Sequence, residues 1–228
     1  MSEILLLLPS RSVHRFRSVC RSWAALLSSP GFTDAYAAKA DARRRLMEKF
    51  VFFAPSPSSP KRSTVAYSFS TRGTAADTLF TIDRVRVDFL CLSSRPCHGA
   101  MLFSDTRSGT YWVCNPSTGE CIPLPKQLQR RRSLNKSSAS LVYDDRSKER
   151  KVVHLFVDDD AMIRCEVYTL CRLSSGGGRW RPAKGNLKLV GPGNKIKFSE
   201  ALITEDLVPK TPPVFANGCL HWLLYPTT

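Results

Sequence analysis

Hydrophobic and polar positions alternate in two different ways along this chain. From Ser2 to about Phe50 the apolar residues recur at helical steps. Val13, Phe16, Cys20, Trp23 and Leu27 are spaced by three and four, which puts them on one helical face, while Arg11, Arg15, Arg17 and Arg21 fall largely off it. Pro9 interrupts the run Ile4-Leu5-Leu6-Leu7-Leu8, so a first helix should end near Leu8, and Ser10 or Ser12 can cap the next one. Ser28-Ser29-Pro30-Gly31 punctuates again, and Phe32, Tyr36, Ala40 and Leu46 predict a further helix whose basic end, Arg43-Arg44-Arg45, suits the helix dipole. Three or four short helices in so few residues make a unit that is marginal alone. It should need a partner, or the domain that follows, to hold its shape.

Beyond Ala54 to Ser63, which holds three Pro and four Ser and reads as a linker or long surface loop, the apolar runs become short. Thr64 to Phe69, Phe89 to Leu92, Ala100 to Phe103, Tyr111 to Cys114, Lys151 to Phe156 and Cys165 to Leu170 read as strands. Between them lie the turn signals Asp105-Thr106-Arg107-Ser108-Gly109, Asn115-Pro116-Ser117-Thr118-Gly119, Asp144-Asp145-Arg146-Ser147 and Gly176-Gly177-Gly178. Such spacing means an all-β sandwich, barrel or propeller. Tyr111 to Leu124 and Tyr143 to Phe156 share a layout of aromatic strand, polar turn and second strand. Tyr168 to Trp180 repeats strand, Gly-rich turn and Trp, and this self-similarity favours propeller blades.

Composition narrows the picture. The 228 residues are 43% hydrophobic and 23% charged, which excludes wholesale disorder. The apolar run Ile4 to Leu8 is far short of the ~18 residues of a membrane span and lacks the flanks of a signal peptide. The expectation is an intracellular protein, cytoplasmic and/or nuclear and not secreted, with its eight Cys as reduced thiols. The net charge of +15 is concentrated in two places. Lys126, Arg130, Arg131, Arg132 and Lys136 form one cluster, and the acid-free stretch Val167 to Ser199 carries Arg172, Arg179, Arg181, Lys184, Lys188, Lys195 and Lys197. Both sit among turn-forming residues. Solvated basic loops are the plainer reading and a nucleic-acid footprint the alternative, separable by the steep salt dependence of phosphate binding.

No enzymatic pattern emerges. His14, His98, His154 and His221 stand outside nucleophile and metal motifs, and the Cys spacings lack the close C-x-x-C pairs of structural zinc, so buried small hydrophobes account for the Cys best. Asp158-Asp159-Asp160 lacks the donor spacing and fixed Gly of a calcium loop and reads as a hairpin turn between Val157 and Met162. Gly176-Gly177-Gly178 is followed by Arg179-Trp180-Arg181, not by a phosphate-loop helix. That triplet suits the last strand of a blade better than a base-stacking platform. No catalytic residue, metal or cofactor is expected.

The residues Leu8-Pro9-Ser10-Arg11-Ser12-Val13-His14-Arg15-Phe16-Arg17-Ser18-Val19-Cys20-Arg21-Ser22-Trp23, continued by Leu26-Leu27-Ser28-Ser29-Pro30-Gly31-Phe32, resemble the core of an F-box. The second part independently resembles the F-box-associated domain of plant F-box proteins. The matching segments are Cys97-His98-Gly99-Ala100-Met101-Leu102, Val113-Cys114-Asn115-Pro116-Ser117-Thr118-Gly119, Pro123-Leu124-Pro125, Leu141-Val142-Tyr143-Asp144, Lys151-Val152-Val153, and Pro213-Val214-Phe215-Ala216-Asn217-Gly218-Cys219-Leu220-His221-Trp222.

The resemblance implies an α+β multidomain chain. Residues 1–48 form an F-box, 49–64 a linker or first strand, and 65–228 an all-β, propeller-like domain. It implies a substrate adaptor, not an enzyme. The F-box docks on a Skp-family adaptor and, through it, a cullin scaffold of a ubiquitin ligase, and the second domain recruits a protein substrate that the sequence does not name. Ile4, Leu5, Leu8, Pro9, Val13, Phe16, Val19, Cys20 and Trp23 would serve that interface or the F-box's own core, with Phe16 and Trp23 as its aromatic anchors. No membrane is implied. Nucleic-acid binding, or a non-functional fragment, is the alternative. Two departures stand out. The Leu-Pro turn that usually precedes the Ile-Leu pair is absent before Ile4, and the roughly 165 residues after the linker are few for a closed propeller. The expectation is therefore a chain truncated at both ends, with an incomplete sheet array.

Overall fold

The computed structural model describes residues 2–44, 49–70, 76–127, 137–158, 163–170, 178–183, 188–191, 194–197, 207–209, 212–216, 219–222 and 224–226. Four helices come first: α1 (Ser2–Leu5), α2 (Ser10–Phe16), α3 (Arg21–Ser28) and α4 (Pro30–Arg44). Strands follow: β1 (Lys49–Pro55), β2 (Thr64–Ser70), β3 (Asp77–Ile82), β4 (Leu90–Leu92), β5 (Met101–Asp105), β6 (Tyr111–Asn115), β7 (Glu120–Pro123), β8 (Ser137–Asp144), β9 (Glu149–Val157), β10 (Ile163–Leu170) and β11 (Trp180–Pro182). Six short strands complete the order: β12 (Lys188–Gly191), β13 (Asn194–Lys197), β14 (Leu207–Pro209), β15 (Val214–Ala216), β16 (Cys219–His221) and β17 (Leu224–Pro226). This is the expected class, short helices followed by a β-rich, propeller-like array.

Among the described residues the sheets run β1-β2-β3, β4-β5-β6-β7 and β11-β10-β9-β8, with two-stranded pairs β12-β13, β14-β17 and β15-β16. Within the three larger sheets every strand pairs with its neighbour in sequence, as blades require. The chain divides into two compact units, residues 1–88 with 115–121, and 89–114 with 122–228. The first holds the helices and the sheet β1-β2-β3. The second holds an apolar cluster in which Ala100, Leu102, Tyr111, Val113, Leu124, Ala139, Leu141, Val152, Tyr168, Leu170 and Trp180 are buried.

The turn signals have a common construction. Asp105 accepts from the Arg107 N–H (3.0 Å) and from the Ser108 hydroxyl (2.6 Å), and Gly109 closes the turn at φ 70°. Asp144 accepts in the same way from the Arg146 N–H (3.0 Å) and the Ser147 hydroxyl (2.9 Å). Asn115 accepts from the Ser117 N–H (2.9 Å), and Gly119 lies at φ 80°. These are side-chain-capped turns that end one strand and start the next. The shared layout read from the sequence is thus a repeated local bond pattern. Cys97-His98-Gly99-Ala100 is also a turn. Cys97 and Ala100 exchange both backbone bonds, at 2.9 and 3.0 Å, and His98 (φ 46°) and Gly99 (φ 76°) both take the left-handed conformations of a type I′ hairpin.

Several expectations are corrected. Val13 to Leu27 is not one continuous helix. The chain leaves α2 after Phe16 and re-enters a helix at Arg21, so the five-residue face is split between α2 and α3, and Cys20 is exposed. Neither Ser10 nor Ser12 caps α2. Pro9 takes the N-cap position with φ −58° and ψ 145°, the extended geometry that position requires, and its carbonyl accepts from the Ser12 and Val13 N–H groups. Of the two readings of the Pro/Ser-rich run, linker or long surface loop, the loop is the one found: Ser56 to Ser63 closes the β1-β2 hairpin, Ser56 N–H donating to Ser63 O at 2.9 Å, with Ser56 and Ser63 both buried. Leu46 lies outside the described residues.

The cysteines depart furthest from expectation. Cys114 and Cys121, on the neighbouring strands β6 and β7, are disulfide-bonded, not reduced. Sequence spacing does not reveal that two strands will hold them together. Of the free thiols described, Cys20, Cys91 and Cys219 are exposed and Cys97 and Cys165 are half-buried, so none is the fully buried small hydrophobe expected.

Candidate adaptor-docking surface

The helical unit folds around four buried side chains: Leu5, Val13, Leu27 and Phe32. Leu6, Leu8, Phe16, Trp23, Leu26 and Tyr36 pack against them from partly buried positions. Aromatic pairs brace this core. Phe16 meets Trp23 edge-on at 5.4 Å, and Phe32 stacks on Tyr36 at 5.9 Å. Pro30 opens α4 at its first turn, and Ser29 Oγ accepts from the Phe32 N–H at 3.3 Å, a capping arrangement for that helix. Tyr36 then donates its hydroxyl to Leu8 O at 2.8 Å, tying α4 to the segment that follows α1. Arg17 donates twice to Ser28 Oγ, at 3.0 and 2.7 Å, linking the α2-α3 connection to the end of α3.

This packing sorts the nine residues singled out from the sequence. Leu5 and Val13 are core; Leu8, Phe16 and Trp23 are partly buried against it. Ile4, Pro9, Val19 and Cys20 are exposed. Ile4 is 66% exposed and Val19 62%, and Leu7, which the sequence reading passed over, is 52% exposed. The missed signal was present: α1 ends at Leu5, so Leu7 follows the helix in a turn and escapes the face that buries Leu5. Large aliphatic side chains left in water beside a small core are unfavourable by about 1.5–3 kcal/mol each relative to burial. Arg15, Arg17 and Arg21 are exposed around them. At the start of α3 the Cys20 thiol is held below its usual value, first by the Ser22 hydroxyl 3.1 Å away and then by the Trp23 backbone N–H.

In the second unit the other candidates resolve into structural roles. Trp180 is buried and donates Nε1–H to Pro125 O at 2.8 Å, so its ring faces the core and offers no face to a base. His154 pairs with Glu166 inside the sheet β8–β11. His98 is exposed and stacks on Tyr143 at 4.0 Å, and Arg150 donates to His98 O at 2.9 Å. Asp158 accepts from Arg164 Nε at 2.6 Å; Asp159 to Met162 lie outside the described residues. So do Arg130 to Arg132, Lys136, Arg172, Lys184 and Gly176-Gly177. Among the described residues no group of three or more His, Cys, Asp or Glu is placed to hold a metal, and no helix is long and apolar enough to cross a membrane.

Two family models match the chain, one on the helical segment and one on the β-rich part. Residues 1–34 match the F-box domain family, and residues 37–195 match the family described as the F-box associated beta propeller domain. The F-box protein At5g49610 of Arabidopsis thaliana is 31% identical over 97% of this chain and 56% of its own length. The F-box protein DOR of the same plant is 28% identical over 74% of this chain and 44% of its own. The putative F-box protein At3g23960 is 27% identical over 97% of this chain and 52% of its own. The chain therefore spans about half the length of these relatives. No solved structure matches.

Proposed function

This chain belongs to the F-box proteins that carry an F-box-associated beta propeller domain, and from that premise we propose that it is a substrate-recognition adaptor of a Skp–cullin–F-box ubiquitin ligase. The N-terminal helices dock on a Skp-family adaptor, and the β-rich part recruits a protein substrate. The chain performs no chemistry of its own. It raises the substrate's effective concentration near the ligase's catalytic subunit, which places it inside the cell, in the cytoplasm and/or nucleus.

One observation carries this reading. The helical unit spends Leu5, Val13, Leu27 and Phe32 on its own core and leaves Ile4, Leu7 and Val19 in water. We assign these three, with Pro9, to the partner interface. Phe16 and Trp23 then act as braces of the docking surface rather than as its hot spots.

The test is a binding titration with a purified Skp-type adaptor. Ile4→Asp and Val19→Asp should each weaken binding at least tenfold while leaving the thermal transition in place. Trp23→Ala should lower the transition and the affinity together. Absence of binding by the unaltered chain would sink the proposal. Binding that falls steeply with salt and ignores Ile4→Asp would favour the electrostatic alternative.

A further inference from the structure

The helical unit holds a run of positive charge with nothing to balance it. No acidic residue stands between Glu3 and Asp34, while Arg11, Arg15, Arg17 and Arg21 fall in that stretch. Three of these Arg flank one hydroxyl. α2 ends at Phe16 and α3 begins at Arg21, and Arg17, Ser18 and Val19 form the turn between them. Ser18 is exposed. Arg15 lies three residues before it, Arg17 one before and Arg21 three after, and all three are exposed. Among the described residues no carboxylate pairs with any of them. Arg17 spends its donors on a neutral acceptor, Ser28 Oγ, at 3.0 and 2.7 Å. The Ser18 hydroxyl donates to the Arg15 carbonyl at 2.6 Å, a bond within the turn that rotation of the side chain releases. Other serines lack one of these properties. Ser22 is exposed but has Val19, not a base, three residues before it. Ser63 follows Lys61 and Arg62 but is only 7% exposed and donates to Asp83 at 3.3 Å. Ser133 repeats the flanks of Ser18 and lies outside the described residues.

Resting on the docking reading above, in which Val19 meets the partner, we propose that Ser18 is a phosphorylation site for an Arg-directed Ser/Thr protein kinase, and that its phosphate switches off docking on the Skp-type adaptor. A kinase whose peptide groove is lined by carboxylates reads Arg15 and Arg17 by charge complementarity. The exposed turn presents the hydroxyl without unfolding either helix. In the transfer the Ser18 oxygen attacks the γ-phosphorus of a magnesium-bound nucleoside triphosphate. One O–P bond forms, the bond to the β-phosphate oxygen breaks, the nucleoside diphosphate leaves, and the hydroxyl proton passes to the kinase's base. The product carries about −1.5 to −2 charges at pH 7 and three acceptor oxygens. Charge-assisted bonds to phosphate are stronger than the neutral bond to a hydroxyl, so the phosphate competes with Ser28 for Arg17. It also stands one residue from Val19, which is 62% exposed and must shed its water on docking. A dianion at that apolar contact keeps its hydration or is desolvated at a high cost, and either way the contact is lost. Docking covers the neighbour of Val19 in turn, so binding and modification exclude each other.

Treatment with magnesium ATP and a purified Ser/Thr kinase that requires Arg three residues before its target should add one phosphoryl group to the peptide bearing Ser18, resolved by mass from the peptide bearing Ser133. Arg15→Ala should slow that incorporation at least tenfold, and Ser18→Ala should abolish it at that peptide. In a titration with purified Skp-type adaptor, chain phosphorylated at Ser18 should bind at least tenfold more weakly than untreated chain. Kinase-treated Ser18→Ala should bind like untreated chain, and phosphatase should restore the phosphorylated one, which separates a charge effect from a damaged fold. Saturating adaptor should slow the labelling of Ser18. Absence of phosphate at Ser18, or equal affinity of the two forms, overturns the switch and leaves the docking reading in place. Absence of adaptor binding by untreated chain removes the docking reading and the switch with it.

Discussion

His154 Nδ1 lies 2.7 Å from Glu166 Oε1, both residues buried and directly opposite on β9 and β10. Rings enclose the imidazole: Phe156 stacks on it at 5.3 Å, Tyr111 meets it edge-on at 5.3 Å, and Trp180 lies at 5.6 Å. A polar pair inside an aromatic cage stabilises only while both members are present. His154→Leu and Glu166→Leu should each cost about 3–5 kcal/mol, and the double variant clearly less than their sum. Urea denaturation of the four chains measures the coupling, and strict additivity would contradict it.

Two glycines should respond oppositely to alanine. A Cβ on Gly178 would stand 2.7 Å from the Tyr168 ring and 2.8 Å from the Thr169 carbonyl, and the carbonyl belongs to a paired strand that cannot retreat. Gly178→Ala should destabilise by about 1–3 kcal/mol. Nothing lies within 4 Å of a Cβ on Gly31 in the first turn of α4, so Gly31→Ala should be neutral or stabilising by up to about 1 kcal/mol. Thermal midpoints of the two variants give the comparison.

Thiol reactivity should follow environment. Cys20 is exposed and its thiol is held low by Ser22, whereas burial, and next the Glu166 charge, push Cys165 up to about 11. At pH 8 the Cys165 thiol therefore stays protonated and unreactive. Iodoacetamide labelling read by peptide mass should modify Cys20 well before Cys165 in the folded chain, with the gap closing in urea. Equal rates in the folded chain would contradict the assignment.

The turn after β8 carries a pH signature. Lys151 Nζ donates to Asp144, and with the Ser147 hydroxyl and the Arg146 N–H it holds that carboxyl well below the usual Asp range. A depressed carboxyl contributes stability above its unfolded pKa of about 4 and loses it as pH falls toward the folded value. The melting temperature of the unaltered chain should exceed that of Lys151→Met near neutrality. The difference should shrink as pH drops below about 4. A constant difference down to pH 2 would show that Lys151 acts through packing alone.

Local chemistry was the legible part of this sequence. The turns at Asp105, Asn115 and Asp144 announce themselves because an Asx side chain and a following Ser, Thr or Gly close a bond within five residues. The strands between them follow from the apolar runs they separate. The break at Arg17 to Cys20 was hidden, since the three- and four-residue steps continue across it and periodicity alone does not locate a turn. The Cys114 and Cys121 bond and the His154–Glu166 pair were hidden for another reason: each depends on which strands become neighbours. In the helical unit the residue types were readable, but their division between core and surface was not. Whether Leu5 or Leu7 faces the core depends on where α1 ends, and one residue of difference exchanges the two.

Because the large sheets pair only strands adjacent in sequence, the order of synthesis is also an order in which structure can form. A ribosome delivers about 5–20 residues per second, while a hairpin closes in about 1–10 μs. Each hairpin therefore finishes long before the next strand emerges, and the sheets mature one behind another.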